Sequence, residues 1–276
     1  MRQYLAISAA LFAMTGTSAL AQHAHADHQT MDAATHALHE AVASPARKPA
    51  NRARDTYRHP VETLSFFGVT PNQTVVEIWP SAGWYTEILA PMLKDKGRYI
   101  AAAQPPGKYR TATETLIASD PVRFDKVEIA TFDPKAADDI VAPNSADVVL
   151  TFRNAHNLIM AGEDTAKAAF ARFYRALKPG GVLGVVDHRL PEDRSAADEQ
   201  SSGYLKTSTV VKLAEAAGFK LAAESEVNAN PKDTANWPKG VWTLPPTLSL
   251  GDTDRAKYQT IGESDRMTLK FVKPQG

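Results

Sequence analysis

Residues 74–87 read TVVEIWPSAGWYTE. The run Thr74 to Ile78 is rich in β-branched residues, which predicts a strand, and a helix is predicted to begin near Trp84. Between them, the small residues at positions 81 to 83 let the backbone approach a ligand, and the first helical turn offers free amide groups. A small-residue turn is equally typical of close strand-to-helix packing, so this stretch predicts a strand, a turn and a helix without fixing their role.

The same alternation continues on both sides of this stretch. Six further strands are predicted at 98–103, 127–132, 147–152, 182–187, 219–227 and 267–272. Helices are predicted at 60–67, 84–93, from 111, at 166–177 and from 207 to 217. Strands that alternate with helices favour an α/β fold with a mostly parallel sheet covered on both faces. No helix separates the last two strands, so they are predicted to pair antiparallel at one edge.

The composition sets limits on the class of protein. At 276 residues and 43% hydrophobic content, the chain can bury one sizeable core. It has no cysteine, which excludes disulfides, thiolate metal sites and a cysteine nucleophile. Lys plus Arg and Asp plus Glu both number 31, so charge gives no reason to expect nucleic acid or an acidic membrane surface as a partner. A small-molecule substrate is expected, and the oligomeric state is left open.

The N-terminus has the pattern of a secretory signal peptide. Arg2 is followed by a largely apolar run from Tyr4 to Met14, and Ala19-Leu20-Ala21 has the small-x-small pattern of a cleavage site. Cleavage is predicted after Ala21, which implies a periplasmic or secreted protein. No later stretch is apolar enough to cross a bilayer. The predicted division is a signal peptide at 1–21, a flexible leader at 22–50 and a folded domain at 51–276.

The leader is rich in alanine and histidine, and it lacks a sustained apolar stripe. It holds five of the eight histidines: His23, His25, His28, His36 and His39. Neutral imidazoles at the spacing of the first three are able to share zinc, copper or nickel. The alternative is a solvated low-complexity segment with loose metal affinity. No metal site is predicted in the folded domain.

Several motifs together resemble an exported group of class I S-adenosylmethionine-dependent methyltransferases. They are residues 75–91, the runs DVVLTFRNAHN at 147–157 and LKPGGVLGVVDHR at 177–189, RHP at 58–60 and EAAGF at 215–219. The likeness covers roughly residues 50 to 274. It implies a seven-stranded Rossmann-like sheet that holds S-adenosylmethionine across its carboxyl edge, and a methyltransferase that acts on a small-molecule acceptor.

The resemblance also assigns positions to the cofactor. The methionine half would lie beside Glu77, Ser81, Ala82 and Gly83, and the adenine amino group beside Asp133. At the end of the fourth strand, Arg153 and Asn154 would face the cofactor and the acceptor. The end of the second strand would hold the ribose hydroxyls. Gln104 lies there, and its amide is able to accept hydrogen bonds from hydroxyls and to donate hydrogen bonds to them.

Two departures from the pattern predict weaker cofactor binding. Ser81 and Ala82 occupy positions where glycine is expected, and an added Cβ crowds a ligand or a backbone with positive φ. Gln104 stands where many relatives carry an acid. Its hydrogen bonds to the ribose are therefore weaker, because a neutral amide replaces a charged carboxylate. These departures and the export signal favour the alternative function, a non-catalytic exported binding or accessory protein on this fold.

A methyl transfer to a hydroxyl or a protonated amine needs a group that removes a proton. His156 and His188 are the candidate bases, because each lies just beyond a strand at the binding edge and titrates near neutral pH. Asp187 would orient His188 or bind the acceptor. A structural hydrogen bond in a loop is the alternative for each histidine. The aromatic residues of the loop after the sixth strand, Trp237, Trp242 and Tyr258, either line an acceptor pocket or anchor the loop.

Overall fold

A computed structural model describes residues 33–275 of the chain. Its strands are β1 (Thr74–Ile78), β2 (Arg98–Ala103), β3 (Glu128–Thr131), β4 (Ala146–Phe152), β5 (Leu177–Leu190), β6 (Leu205–Lys206), β7 (Lys220–Ser225), β8 (Pro238–Val241) and β9 (Arg266–Val272). The main sheet has the order β3-β2-β1-β4-β5-β9-β7, and the two-residue β6 pairs with the end of β5. The sheet is open, and the predicted fold class is confirmed.

The direction of the strands changes at one side of the sheet. The first five strands pair in parallel, whereas β9 runs antiparallel to both of its neighbours, β5 and β7. The predicted antiparallel pair is therefore present, with β9 between β5 and β7 and with β7 at the edge. The premise of that prediction is wrong, because a short helix at Arg255–Ile261 lies between the two strands. From β1 the chain builds outward to β2 and β3, then returns to place β4 on the other side. Such a reversal opens a crevice at the carboxyl ends of the two central strands, where ligands bind in open α/β sheets.

Helices cover both faces of the sheet. They are α1 (33–43), α2 (Pro49–Arg52), α3 (Asp55–Arg58), α4 (Pro60–Phe67), α5 (Thr86–Leu93), α6 (Lys108–Ser119), α7 (Pro121–Phe124), α8 (Ala155–Met160), α9 (Glu163–Ala176), α10 (Ala196–Ser201), α11 (Thr207–Ala216) and α12 (Arg255–Ile261). Successive side chains of a strand point to opposite faces. Val75 accordingly packs in the core beneath α4 and α5, while Val76 packs in the core beneath α8, α9 and α11.

The fifth strand differs from its prediction. The sequence predicts a helix at 166–177 and a strand at 182–187, with the run KPGG at 178–181 as the stop and turn between them. In the structure the strand already begins at Leu177, which pairs with Ala146 before the register shifts. Gly180 has a φ of 80°, so glycine absorbs the irregularity inside the strand.

The segment before residue 51 is a correction to the predicted flexible leader. Residues 33–43 form α1, and the buried side chain of Leu38 packs in the core with partly buried Ala37, Ala41 and Val42. These residues recur every three to four positions, an apolar stripe that is easily overlooked because alanine supplies half of it. Residues 22–32, with His23, His25 and His28, and the signal sequence lie outside the described residues. The division into domains stays a prediction.

Arg47 attaches the end of this segment to the fold. Its guanidinium is buried and donates two hydrogen bonds to the carboxylate of Asp55, at 2.7 and 2.8 Å.

Among residues 33–275, no helix has the length and apolar character needed to cross a membrane.

Candidate functional site

A cavity of about 440 Å³ lies at the predicted carboxyl edge of the sheet. It is lined by Trp79, Ser81, Gln104, Tyr109, Arg153, Asn154, His156, Asn157, His188, Val241, Trp242, Pro245, Pro246 and Thr247. These residues follow β1, β2 and β4, lie near the end of β5, or belong to the end of β8 and the loop after it. A larger groove of about 810 Å³ lies beside α1, but its lining contains neither histidine nor arginine. The smaller cavity is the one that brings both buried histidines, His156 and His188, to its wall.

The turn after β1 has a left-handed backbone at alternate residues. The φ angles are 52° at Trp79, 53° at Ser81 and 76° at Gly83, and Ala82 is not among the residues with positive φ. Each non-glycine residue in this region costs about 1 kcal/mol. Of the two expected departures from glycine, Ser81 thus occupies a left-handed position. Trp79 is a second such position, which sequence analysis missed.

The indole of Trp79 covers the carboxyl end of β3. Its Nε1 donates to the carbonyl of Phe132 at 2.9 Å, and the two rings are 5.5 Å apart. Asp133, the predicted partner of an adenine amino group, does not line the cavity. Its carboxylate accepts the backbone N–H of Lys135 at 2.9 Å. The indole thus occupies the region between the cavity and the end of β3.

Gln104 faces the turn after β1. Its Nε2 donates to the hydroxyl of Ser81 at 3.0 Å, while its Oε1 is buried and has no hydrogen-bond partner in the described part of the chain. The carbonyl of Ser81 accepts the hydroxyl of Thr113 at 2.9 Å. A buried amide oxygen without a partner is unfavourable unless a ligand donates to it. A ribose hydroxyl has the chemistry to do so.

Glu77 lies beneath the turn and does not line the cavity. Its carboxyl accepts hydrogen bonds from Thr86, at 3.2 Å, and from the phenol of Tyr99. Desolvation raises the pKa of Glu77 to about 7, although both hydrogen bonds oppose the shift. Ala82 and Gly83 are also outside the cavity lining. A Cβ at Gly83 would meet Leu116 at 2.0 Å, so close packing explains this glycine.

Two residues at the end of β4 have different roles. Asn154 donates from Nδ2 to the carbonyl of Ile78 at 3.0 Å, which ties β4 to the turn after β1. Arg153 has a φ of 57°, and its side chain lines the cavity. Burial lowers the pKa of Arg153 to about 10, so it remains charged at neutral pH. Both residues line the cavity, and their predicted role toward the cofactor stays a prediction.

His156, Asp187 and His188 form one hydrogen-bonded group, and all three are buried. One oxygen of Asp187 lies 2.8 Å from Nδ1 of His156 and accepts the backbone N–H of His188 at 2.8 Å. The other oxygen accepts the backbone N–H of His156 at 3.0 Å. Asp187 thus orients His156 and lies behind it, outside the cavity lining. The predicted pairing of Asp187 with the ring of His188 is not seen.

The two imidazoles are held so that their Nδ1 atoms face the protein. Nδ1 of His188 is hydrogen-bonded to the hydroxyl of Ser264, and the ring centroids of His188 and His156 are 5.2 Å apart. Desolvation, with the nearby His156 ring and the charge of Arg153, places the pKa of His188 well below its usual value. His188 is therefore neutral at pH 7. Nε2 is the ring nitrogen that each histidine has left for a ligand.

The same three side chains are of types that bind divalent metal ions, and one ligand atom from each lies within 4.8 Å of the others. Two observations favour a base and its orienting carboxylate instead. Both oxygens of Asp187 already accept hydrogen bonds. The charges of Arg153, Arg266 and Arg58 lower the pKa of His188, and they would disfavour a metal cation for the same electrostatic reason.

The aromatic residues of the loop after β7 divide between the two predicted roles. Trp242 lines the cavity, and its ring is 6.4 Å from that of His156. Trp237 instead donates to Asp233 at 2.7 Å and packs edge-on against Tyr258. Trp242 is thus a wall of the cavity, while Trp237 and Tyr258 anchor the loop.

A group of four arginines lies next to the cavity and is called the arginine cluster below: Arg54, Arg58, Arg153 and Arg266. Glu263 accepts from Arg54 at 2.6 Å and from Arg58 at 3.2 Å, and it pairs with Arg266 at 3.3 Å. Burial would raise the pKa of Glu263, yet these charges lower it to about 2. Sequence analysis singled out only Arg58 and Arg153, because the four residues are brought together from three distant segments.

Comparisons with known proteins find similarity in structure alone. No family model and no curated protein matches the sequence. An S-adenosylmethionine-dependent methyltransferase from Aquifex aeolicus has a TM-score of 0.54 and 17% identity, over 82% of this chain and 94% of that one. The 4+2 cyclase SpnF has a TM-score of 0.54 and 14% identity, over 82% of each chain.

A third solved structure is a phospholethanolamine N-methyltransferase from Haemonchus contortus, which contains phosphomonomethylethanolamine and S-adenosylhomocysteine. It has a TM-score of 0.51 and 20% identity, over 79% of this chain and 53% of that one. At such identities the likeness concerns the fold, and a fold does not by itself determine a function. The chain has the α/β fold of S-adenosylmethionine-dependent methyltransferases.

Proposed function

We propose that this protein is an S-adenosylmethionine-dependent methyltransferase that acts on a small-molecule acceptor. The observation that carries the proposal is the His156–Asp187 pair, with a 2.8 Å contact at Nδ1, on the wall of a cavity at the switch point of this fold. The cavity volume of about 440 Å³ is within the range of small-molecule sites.

The chain supplies positioning and a base. S-adenosylmethionine would supply an activated methyl group on a sulfonium, so the protein needs mainly to align the acceptor and remove its proton. Nε2 of His156 would take the proton of the acceptor hydroxyl or ammonium, and Asp187 would stabilise the imidazolium that results. The acceptor lone pair would then be free to take the methyl group, and the electrons of the carbon–sulfur bond would leave with the sulfur. The proton then leaves His156 for solvent.

Gln104 and Ser81 are the residues of the chain that fit the cofactor. The unpartnered Oε1 of Gln104 suits a ribose hydroxyl, and Ser81 lies beside it at the turn. Glu77 and Asp133, also predicted as cofactor residues, would act only after a rearrangement, because neither lines the cavity. For Asp133 the obstacle is the indole of Trp79.

A second candidate is a non-catalytic binding protein on the same fold. Trp79 and Ser81 at left-handed positions and the hydrogen bond between Ser81 and Gln104 favour it, because they close part of the cofactor region. The cyclase SpnF has a similar fold and a name that denotes no methyl transfer. In this case the cavity would hold a ligand without turning it over.

We also propose export to the periplasm or beyond, with cleavage after Ala21. The support is the sequence pattern of residues 1–21. N-terminal sequencing of protein recovered from the periplasmic fraction would begin at Gln22 if this is right. An intact Met1 terminus in the cytoplasmic fraction would refute it.

Calorimetric titration of the protein from Gln22 onward with S-adenosylmethionine and S-adenosylhomocysteine tests the main proposal. Micromolar binding of both, together with slow conversion of the first in the presence of acceptor mixtures, is expected. A Gln104→Leu variant should bind at least tenfold more weakly, since it leaves the ribose without its acceptor. A folded protein that gives no heat up to millimolar cofactor would refute methyl transfer and leave the binding protein.

A further inference from the structure

The arginine cluster carries more positive charge than the described residues neutralise. Four guanidinium groups face two carboxylates, Glu263 and Asp187, which leaves a net charge of +2. Desolvation raises the pKa of neighbouring Tyr85 to about 12, so this phenol contributes no negative charge. Buried charge in excess is unfavourable unless a partner of opposite sign completes it.

The hydrogen bonds of the cluster are also incomplete. Nη2 of Arg54 and Nη2 of Arg58 are buried and have no partner within residues 33–275. The guanidinium of Arg153 makes no hydrogen bond or ion pair with any residue in that range, although Arg54, Arg58 and Arg266 all pair with Glu263. Arg153 is therefore the member of the cluster whose charge is available to something else.

Arg153 is also the member that reaches the cavity. It lines the same space as His156 and His188, with Trp79 and Trp242 among the aromatic walls. Its left-handed backbone, with a φ of 57°, is a strained conformation of the kind found at ligand-binding positions. A planar guanidinium beside aromatic walls suits a flat molecule that ends in a carboxylate, because the carboxylate is able to accept two parallel hydrogen bonds.

We propose that this cavity binds a small organic acid, with Arg153 holding its carboxylate and Trp79 and Trp242 contacting its apolar body. This inference deepens the proposed function and rests on it in one respect, namely that the acid is the methyl acceptor. Arg153 follows β4 and lies three residues before His156, on the side of the base. The turn at 81–83, where the amino acid end of the cofactor is expected, follows β1, the neighbouring strand.

The test uses benzoate and its neutral isostere benzamide, titrated into the protein from Gln22 onward without cofactor. Benzoate is expected to bind at least tenfold more tightly than benzamide. An Arg153→Gln variant should lose that preference, and Arg153→Lys should retain part of it because the charge remains while the bidentate geometry is lost. Arg175→Gln removes a charge that pairs with Asp139 away from the cavity, and it should bind benzoate as the parent does.

Several outcomes would overturn the proposal. They are equal binding of benzoate and benzamide, no binding of benzoate by the folded parent, or unchanged binding in Arg153→Gln. The comparison of the two ligands on the parent stands even if a variant fails to fold. S-adenosylhomocysteine separates this proposal from the previous one. If the parent binds benzoate but no cofactor, methyl transfer fails and the anion site stands. If Arg153→Gln weakens S-adenosylhomocysteine and leaves benzoate unchanged, Arg153 serves the cofactor and the proposal fails.

Discussion

The ends of β1 and β2, with β3 beside them, form one side of the cavity and the ends of β4 and β5 form the other, but the polar groups of the two sides are used differently. On the first side, Trp79 donates a hydrogen bond to the carbonyl of Phe132, and Gln104 donates one to the hydroxyl of Ser81. Beneath them one carboxyl oxygen of Glu77, Oε2, accepts hydrogen bonds from two hydroxyl groups. On that side one atom, Oε1 of Gln104, is left without a partner among the described residues.

The second side leaves its functional atoms available. His156 is oriented through Nδ1 by Asp187, so that Nε2 remains for a ligand. Arg153 lines the cavity, and within residues 33–275 its guanidinium pairs with no carboxylate. Groups that satisfy one another are explained by stability, whereas buried groups left open imply a ligand. The side formed by β4 and β5, called the acceptor side after its proposed role, therefore carries a clearer functional signal than the side formed by β1 and β2, called the cofactor side after its proposed role.

The strongest test of the acceptor side is removal of the base. His156→Gln should lower the rate of S-adenosylhomocysteine release by about 10²- to 10⁴-fold with an acceptor that must lose a proton, the usual contribution of a general base. Glutamine keeps much of the shape of the ring but does not take up the proton. Cofactor affinity should stay within a factor of three, which calorimetry measures.

His39→Gln is the matched control, since His39 is exposed on α1. It should leave the rate unchanged. A His156→Gln variant as fast as the parent would mean that the histidine is structural and that the two sides do not differ as described.

On the cofactor side, Glu77 is expected to affect the pH dependence of folding stability. The folded protein raises the pKa of Glu77 from 4.5 to about 7, so the native state binds a proton between these pH values that the unfolded chain releases. Stability from this group is full below pH 4.5 and falls as pH rises through 7. Glu77→Gln removes the titration. Between pH 4.5 and 8.5, the free energy of unfolding of the variant should rise relative to that of the parent by on the order of 3 kcal/mol.

Denaturant unfolding of both proteins across this range provides the measurement. His188, with its lowered pKa, titrates with the opposite sign, and the difference between variant and parent cancels its contribution. Glu128→Gln, which removes an exposed pair with Arg98 on the edge strand, should show no comparable trend. A difference between Glu77→Gln and the parent that does not change with pH would show that Glu77 is not protonated in the native state.

The sequence was sufficient for the architecture because strand signals are local. β1 and β2 have the predicted bounds of 74–78 and 98–103. The predicted antiparallel pairing of β9 is also present, although the helix α12, which the sequence did not predict, lies between β7 and β9. The α1 stripe was missed because alanine, which supplies much of it, carries little hydrophobic signal. The start of β5 was missed because glycine and proline usually end an element.

The site was predictable only in part. Position after a strand placed Ser81, Gln104, Arg153, Asn154 and the two histidines at one cavity. The partner of Asp187 was not predictable, because the choice between two nearby imidazoles depends on side-chain rotamers. Nor was the arginine cluster, whose Arg58 and Glu263 are 205 residues apart in sequence.

Substitution of Trp79 is expected to have the smallest effect of these changes, and it tests directly whether the indole closes the cofactor side. Trp79→Gly should relieve the left-handed backbone by about 1 kcal/mol and uncover the end of β3 beside Asp133. If the indole is what closes the cofactor side, S-adenosylhomocysteine should bind about tenfold more tightly to the variant, a gain of about 1.4 kcal/mol.

A second substitution identifies the source of that gain. In the double variant Trp79→Gly with Asp133→Ala, affinity should return to the parent value, because the adenine amino group would lose the acceptor that was uncovered. Asp133→Ala alone should change little, since Asp133 does not line the cavity while the indole is present. Weaker binding by Trp79→Gly would instead make the indole part of the cofactor site. The cofactor side would then not be closed by the contacts of Trp79, and the cofactor would instead stack on the indole.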